Sequence, residues 1–114
     1  MGTDTVKDNL EGVAQHFVTL YQGMIVAAGR LHQNTPDQYQ IRYMATHSKY
    51  QRQKLGSQLL SFIEQEAIKI SAKEIILNAR SKAIAFYKSN NYKPIGKPHI
   101  EIDLEHQKMI KRFD

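Results

Sequence analysis

The sequence predicts an α/β fold: a mixed β-sheet flanked by helices, with an antiparallel N-terminal meander and a parallel central strand pair. Three observations carry this. Short apolar runs broken by turn residues fill 13–46. One amphipathic stretch follows, with Leu55, Leu59, Phe62, Ile63, Ala67 and Ile70 spaced by threes and fours, which makes one apolar helix face. A second apolar run, Glu74 to Ala79, comes directly after. Strand, helix, strand implies a right-handed crossover, and so two parallel strands.

The elements read as follows. Met1 to Gln15 is polar, with Asp4, Asp8 and Glu11 and a break at Gly12, and is expected to be weakly structured. Val13 to Tyr21 reads as a strand on its β-branched and aromatic residues. Gln22-Gly23 suits a hairpin turn, since glycine supplies the positive φ it needs. Met24 to Leu31 is nearly continuous in apolar character and so is expected to be buried on both faces. Asn34 to Asp37 is a turn, and Tyr39 to Thr46 a third strand. After the long helix and the Glu74–Ala79 strand, Ser81 is the expected cap of a short helix, Lys82 to Ser89. Asn90-Asn91 ends it, because asparagine tolerates the left-handed conformation of a C-cap. Tyr92 begins a strand broken by Pro94 and Pro98. Ile100, Ile102 and Leu104 alternate with Glu101, Asp103 and Glu105, a half-buried edge pattern, and Gln107 to Arg112 is the last strand.

A chain of 114 residues, 41% hydrophobic, suits one packed domain, 1–114. No apolar run nears the ~20 residues that span a bilayer, and no secretory h-region precedes Gln15. With no cysteine there is no disulfide, thiol nucleophile or cysteine-ligated zinc, and a cytoplasmic location is expected. The five histidines show no metal-ligand spacing, so no metal is expected. The net charge of +5 is spread along the chain. That favours a few cations serving an anionic ligand over a nucleic-acid surface. A nucleic-acid domain stays the weaker alternative, testable by a salt titration.

The long helix starts unusually. No Ser, Thr, Asp or Asn sits just before Leu55, and no acidic residue lies between Asp37 and Glu64, whereas Arg42, Lys49, Arg52 and Lys54 do. Unpaired N–H groups and the helix dipole then favour an anion at this end.

The loop Gln51-Arg52-Gln53-Lys54-Leu55-Gly56 resembles the acyl-CoA pyrophosphate loop of the GNAT superfamily of N-acetyltransferases, Gln/Arg-x-x-Gly-x-Gly/Ala. The outer positions match. Lys54 replaces the middle glycine; it adds a cation but gives up the freedom of glycine at positive φ. A second motif of the superfamily, Asn-x-x-Ala-x-x-Phe-Tyr followed by Gly-Phe, is met by Ala83, Phe86 and Tyr87 at the expected spacing. Arg80 stands where asparagine is usual, and Asn91-Tyr92 stands for Gly-Phe. The Leu77-to-Tyr87 run, with His16, His106 and Met109, is similar to the ElaA-like branch. That branch usually has a strand and two helices before the position of His16, so the resemblance implies a fold lacking the first strand and first two helices.

The resemblance implies acetyl transfer from acetyl-CoA to an amine, by direct transfer in a ternary complex. The acceptor, a small molecule or a protein amine, must lose a proton before it attacks (lysine pKa ~10.4). Tyr87 is then the candidate acid for the departing thiolate, the alternative being a packing aromatic. The implied cofactor-binding residues are Met44, Ala45 and Thr46, whose backbone would face the thioester and pantetheine; Gln51, Arg52, Gln53, Lys54, Leu55, Gly56 and Ser57 on the pyrophosphate; and Asn78, Arg80, Ala83 and Phe86. The missing helices usually wall the acceptor pocket. Their absence makes a homodimer attractive, and also motivates a second reading, a non-catalytic acyl-CoA-binding module.

Overall fold

The computed structural model describes residues 4–11 and 14–113, with only the backbone turn of Gln51, Arg52 and Gln53; Val13 lies outside the described residues. The strands are β1 (Asp4–Glu11), β2 (Ala14–Tyr21), β3 (Met24–Gln33), β4 (Gln38–Thr46), β5 (Glu74–Arg80), β6 (Lys93–Pro94), β7 (His99–Glu101) and β8 (Leu104–Arg112). The helices are α1 (Leu55–Lys69) and α2 (Ile84–Ser89). One sheet runs β1-β2-β3-β4-β5-β8-β6, with β7 paired to β8. β4 and β5 are parallel, and the remaining neighbours antiparallel. The expected meander, crossover helix and parallel pair are all present. No helix among the described residues is long and apolar enough to cross a membrane.

The weakly structured N-terminus is a correction: Asp4–Glu11 is a strand, antiparallel to β2. A strand therefore does precede the His16 segment, while β1 and β2 join through residues 12–13 with no helices between. Two of its polar residues, Thr5 and Lys7, tie the strand to its neighbours. Thr5 and Thr19 hydroxyls meet across the pair at 3.1 Å. Lys7 reaches Glu66 of α1 at 2.9 Å.

Register shows which face the helices cover. Phe17 lies opposite Gly29, Gly29 opposite Met44, Leu31 opposite Ile41, Ile41 beside Leu77, and Leu77 opposite Met109. This row packs with Leu59, Leu60 and Ile63 of α1 and Tyr87 of α2 into the main core. At Gly29 a Cβ would come within 2.9 Å of Ile63 Cδ1, so glycine lets α1 sit close on the sheet. Both helices are on this face, and among the described residues no helix covers the other. β3 is accordingly not buried on both faces throughout; Met24 and Ile25, its first two residues, are exposed.

Two more expectations change. Ser81 does not cap the short helix; it opens a 3-10 turn, Ser81–Ala83, and α2 follows without a side-chain cap. The Ile100/Ile102/Leu104 alternation is not a half-buried edge. Ile102 and Asp103 take positive φ (50° and 57°) and turn β7 into β8, leaving Ile102 94% exposed. Asn91 ends α2 in the left-handed region (φ 72°), as its residue type predicts.

Candidate active site

β4 and β5 pair only from Gln38/Glu74 to Ile41/Leu77. Beyond that, β4 stays with β3 as far as Thr46/Ala27, and β5 stays with β8 as far as Arg80/His106. The strands therefore part. The cause is local: Arg30 pairs with Tyr43 and Leu31 with Ile41, so Arg42 has no partner and forms a β-bulge. A bulge bends its strand and increases its twist, which here swings the end of β4 off β5.

Two adjoining cavities fill the gap. One, about 460 Å³, is lined by Arg42, Tyr43, Asn78, Arg80 and His106 among others. The second, about 520 Å³, is lined by Met44, Ala45 and Thr46 of β4, Gly56 of α1, and Lys82 and Phe86. Met44, Ala83 and Tyr87 line both. By register, Asn78, Arg80, Tyr43 and His106 belong to the sheet face opposite Leu77, Met44 and the helices. The gap is thus a slot through the sheet, with the second cavity on its helical side.

At that side α1 begins bare. Its N-cap, Lys54, has φ 60° and ψ 20°, with no side-chain cap and no acidic residue in the first turn. Lys54 therefore does take the left-handed conformation that its side chain was expected to forgo, at a cost of roughly 1 kcal/mol. The preceding 3-10 turn, Ser48–Gln53, holds it there. His47 N–H donates to Val26 O at 2.8 Å. Lys49 N–H donates to His47 Nδ1 at 3.2 Å. Tyr50 is buried edge-on against Tyr21. Leu55 packs with Val26 and Tyr50, so it offers only its backbone to a ligand. A Cβ at Gly56 would meet Phe86 Cζ at 3.2 Å and Thr46 Oγ1 at 3.4 Å. Glycine thus keeps α1, α2 and β4 together at the cavity wall.

Tyr87 is buried, with its ring edge-on to Phe86 (5.0 Å) and Tyr92 (5.8 Å). Burial pushes its phenol up to about 12, so it keeps its proton at any ordinary pH. Asn90 fixes α2 by donating from Nδ2 to Phe86 O at 2.9 Å and to Ser57 Oγ at 3.3 Å. Behind it, Lys111 Nζ reaches Glu64 Oε1 at 2.8 Å and Asn90 O at 3.2 Å. Burial, and secondarily the Glu64 carboxylate, raises the Tyr92 phenol far above its usual range. Even so, neither the Tyr92 hydroxyl nor Glu64 Oε2 closes a hydrogen bond of ordinary length.

Of the residues expected from sequence, nine line the two cavities; Lys54, Leu55 and Ser57 are in neither lining, and Gln51, Arg52 and Gln53 are described by their backbone alone. Met44, Ala45, Thr46, Gly56, Ala83, Phe86 and Tyr87 meet at the second cavity. Asn78 and Arg80 line the first, which Gly56 does not reach. The sequence reading missed Arg42, Tyr43 and Lys82 and gave His106 no place in the site. Of these, only His106 left a signal, as one of the residues that resemble the ElaA-like branch; the structure places it opposite Arg80.

Comparison with known proteins follows this geometry. A family model described as acetyltransferase (GNAT) domain matches residues 1–113. The chain belongs to the GNAT acetyltransferases. The GNAT fold recurs at low identity in solved structures. One is a GNAT family acetyltransferase from Elizabethkingia anophelis with acetyl-CoA bound: TM-score 0.83, 12% identity, 97% of this chain and 98% of that chain covered. Escherichia coli ElaA follows with TM-score 0.78, 24% identity, and 92% and 72% covered. An acyl-CoA N-acyltransferase from Pseudomonas aeruginosa has TM-score 0.78, 24% identity, and 90% and 70% covered. Set beside these, the short GNAT form spans nearly the whole Elizabethkingia chain.

Proposed function

We propose that this GNAT domain transfers an acetyl group from acetyl-CoA to an amine by direct attack in a ternary complex. The observation that carries the reading is the meeting of two cavities at Met44, Ala83 and Tyr87, one on each side of a slot between β4 and β5. The residues fit the donor. The uncapped N-terminus of α1, with Lys54 and the backbone of 51–57, suits a diphosphate, and the missing Cβ of Gly56 leaves room beside Phe86. Met44 to Thr46 line the cavity on a strand edge that β5 no longer pairs, which frees backbone groups for the thioester and pantetheine. When bound, acetyl-CoA supplies an acyl group activated as a thioester.

Tyr87 acts on the sulfur side. A phenol at about 12 is a weaker acid than an alkanethiol, so it does not hand its proton outright to the departing thiolate. It donates a hydrogen bond as negative charge develops there, and stays protonated itself. On the acceptor side, His106 Nδ1–H donates to Leu104 O at 3.0 Å. That leaves the Nε2 lone pair of the neutral ring to take the proton the amine loses. A thermal-shift titration with acetyl-CoA and CoA, then an amine panel read by thiol release, tests this. No shift with either ligand refutes it. A shift without turnover for any amine favours the non-catalytic binder, and Tyr87→Phe separates the two readings.

A homodimer and a cytoplasmic setting belong to the same proposal. The β7–β8 turn leaves Ile100 and Ile102 at 74% and 94% exposure, an apolar edge that a second copy would cover beside His106. Light scattering of the wild type against Ile102→Lys tests this; a monomer in both removes the dimer.

A further inference from the structure

We infer that the acceptor is an amine that also carries a carboxylate, held by Arg42 and Arg80 on the helix-free side of the slot. The inference rests on the transferase reading above and narrows its substrate. The donor cavity opens on the helical face, so the acceptor enters from the other. That mouth is cationic. Arg42 and Arg80 line it with His106, Tyr43 and Asn78, and no Asp or Glu is among its lining residues. Lys108 lies opposite Asn78 on the same face. Among the described residues no carboxylate pairs with either guanidinium, and both side chains are exposed at the rim.

Such a mouth discriminates by charge. A polyamine or a bare alkylammonium meets like charge, with nothing acidic in the lining to offset it. A carboxylate on the acceptor reverses the sign, and the planar fork of arginine matches its two oxygens. The same guanidiniums lower the pKa of a neighbouring ammonium. They therefore raise the fraction of free amine that His106 must otherwise produce. The bulge matters here too: by leaving Arg42 unpaired in the ladder it brings that residue to the slot beside Arg80.

The test uses matched acceptors with acetyl-CoA and thiol-release detection: methionine, methioninamide and 3-(methylthio)propylamine; ornithine and putrescine; phosphoethanolamine and ethanolamine. The carboxylate member is expected to lead each of its sets at least tenfold in kcat/KM. Phosphoethanolamine leading the whole panel would replace the carboxylate with a phosphate and overturn the assignment. In Arg42→Gln/Arg80→Gln the preference is expected to shrink below threefold, with the KM for acetyl-CoA within twofold. A preference kept intact while that KM rises would place the guanidiniums on the cofactor and overturn the inference. So would better turnover of putrescine or methioninamide. If no amine turns over, saturation-transfer NMR with N-acetylmethionine and its decarboxylated counterpart reads the same preference. Absence of any acetyl-CoA thermal shift removes the transferase reading and this inference together; a shift with the charge preference reversed removes the inference alone.

Discussion

Replacing Tyr87 with phenylalanine removes one hydroxyl and little else. The ring keeps its edge-on contacts with Phe86 at 5.0 Å and Tyr92 at 5.8 Å, and Asn90 still ties α2 to Ser57. The fold should survive with a change within about 1 kcal/mol. The kinetic loss is larger. In the role proposed for it, a phenol that keeps its proton up to about 12 contributes one hydrogen bond to a developing anion. Such a bond is worth roughly 1.5–3 kcal/mol, or about 10- to 150-fold. The expected result is kcat down by about 10²-fold, with the KM for acetyl-CoA within twofold. The wild type should also show no alkaline loss of kcat from this residue below about pH 11. Stopped-time thiol release across pH, together with a thermal melt of each variant, reads all of this. Activity retained within threefold in Tyr87→Phe would refute the role of the phenol and return the residue to packing alone.

Three further predictions follow from the same geometry. Lys54→Gly should hold or raise the melting temperature, since glycine accepts φ 60° without strain, but should weaken CoA binding several-fold at low salt and less at high salt; a lower melting temperature, or a binding loss of the same size at every salt concentration, would contradict this. Lys111→Met leaves Glu64 buried without its partner at 2.8 Å and should cost roughly 3 kcal/mol in urea unfolding, much of it recovered by Glu64→Gln in the same chain. Stability should fall between pH 10 and 12, because the unfolded chain ionises Tyr87 near 10 while the folded one holds the proton to about 12; the term is present below pH 10, is worth up to roughly 2.7 kcal/mol, and should shrink in Tyr87→Phe.

The main lines of the fold were legible because they rest on local signals. The 3.6-residue stripe of α1, the Gln22-Gly23 turn and Asn91 at the end of α2 each state their conformation in their own residue types. β1 was not legible, since a strand of Asp, Lys and Thr gains its stability from partners distant in sequence, Thr19 and Glu66. The β7–β8 hairpin misled for the opposite reason. An Ile-Asp-Leu alternation reads as a buried face, yet two residues at positive φ spend that alternation on a turn. In the site, the motif positions Gly56, Phe86 and Tyr87 do converge. The bulge at Arg42 could not be read, because it is a property of register between two strands, and no single stretch of sequence carries it.

A sheet covered by helices on one side only has a thin interior, and the seam where α1, α2 and β4 meet is also where a donor would dock. Occupancy of that seam and survival of the native chain are then linked. A ligand present at a hundred times its Kd adds about 2.7 kcal/mol to the folded state, a large share of what a domain of this size holds in reserve. The protein's lifetime against proteases should accordingly follow the supply of its own donor, making abundance a readout of acyl-group status.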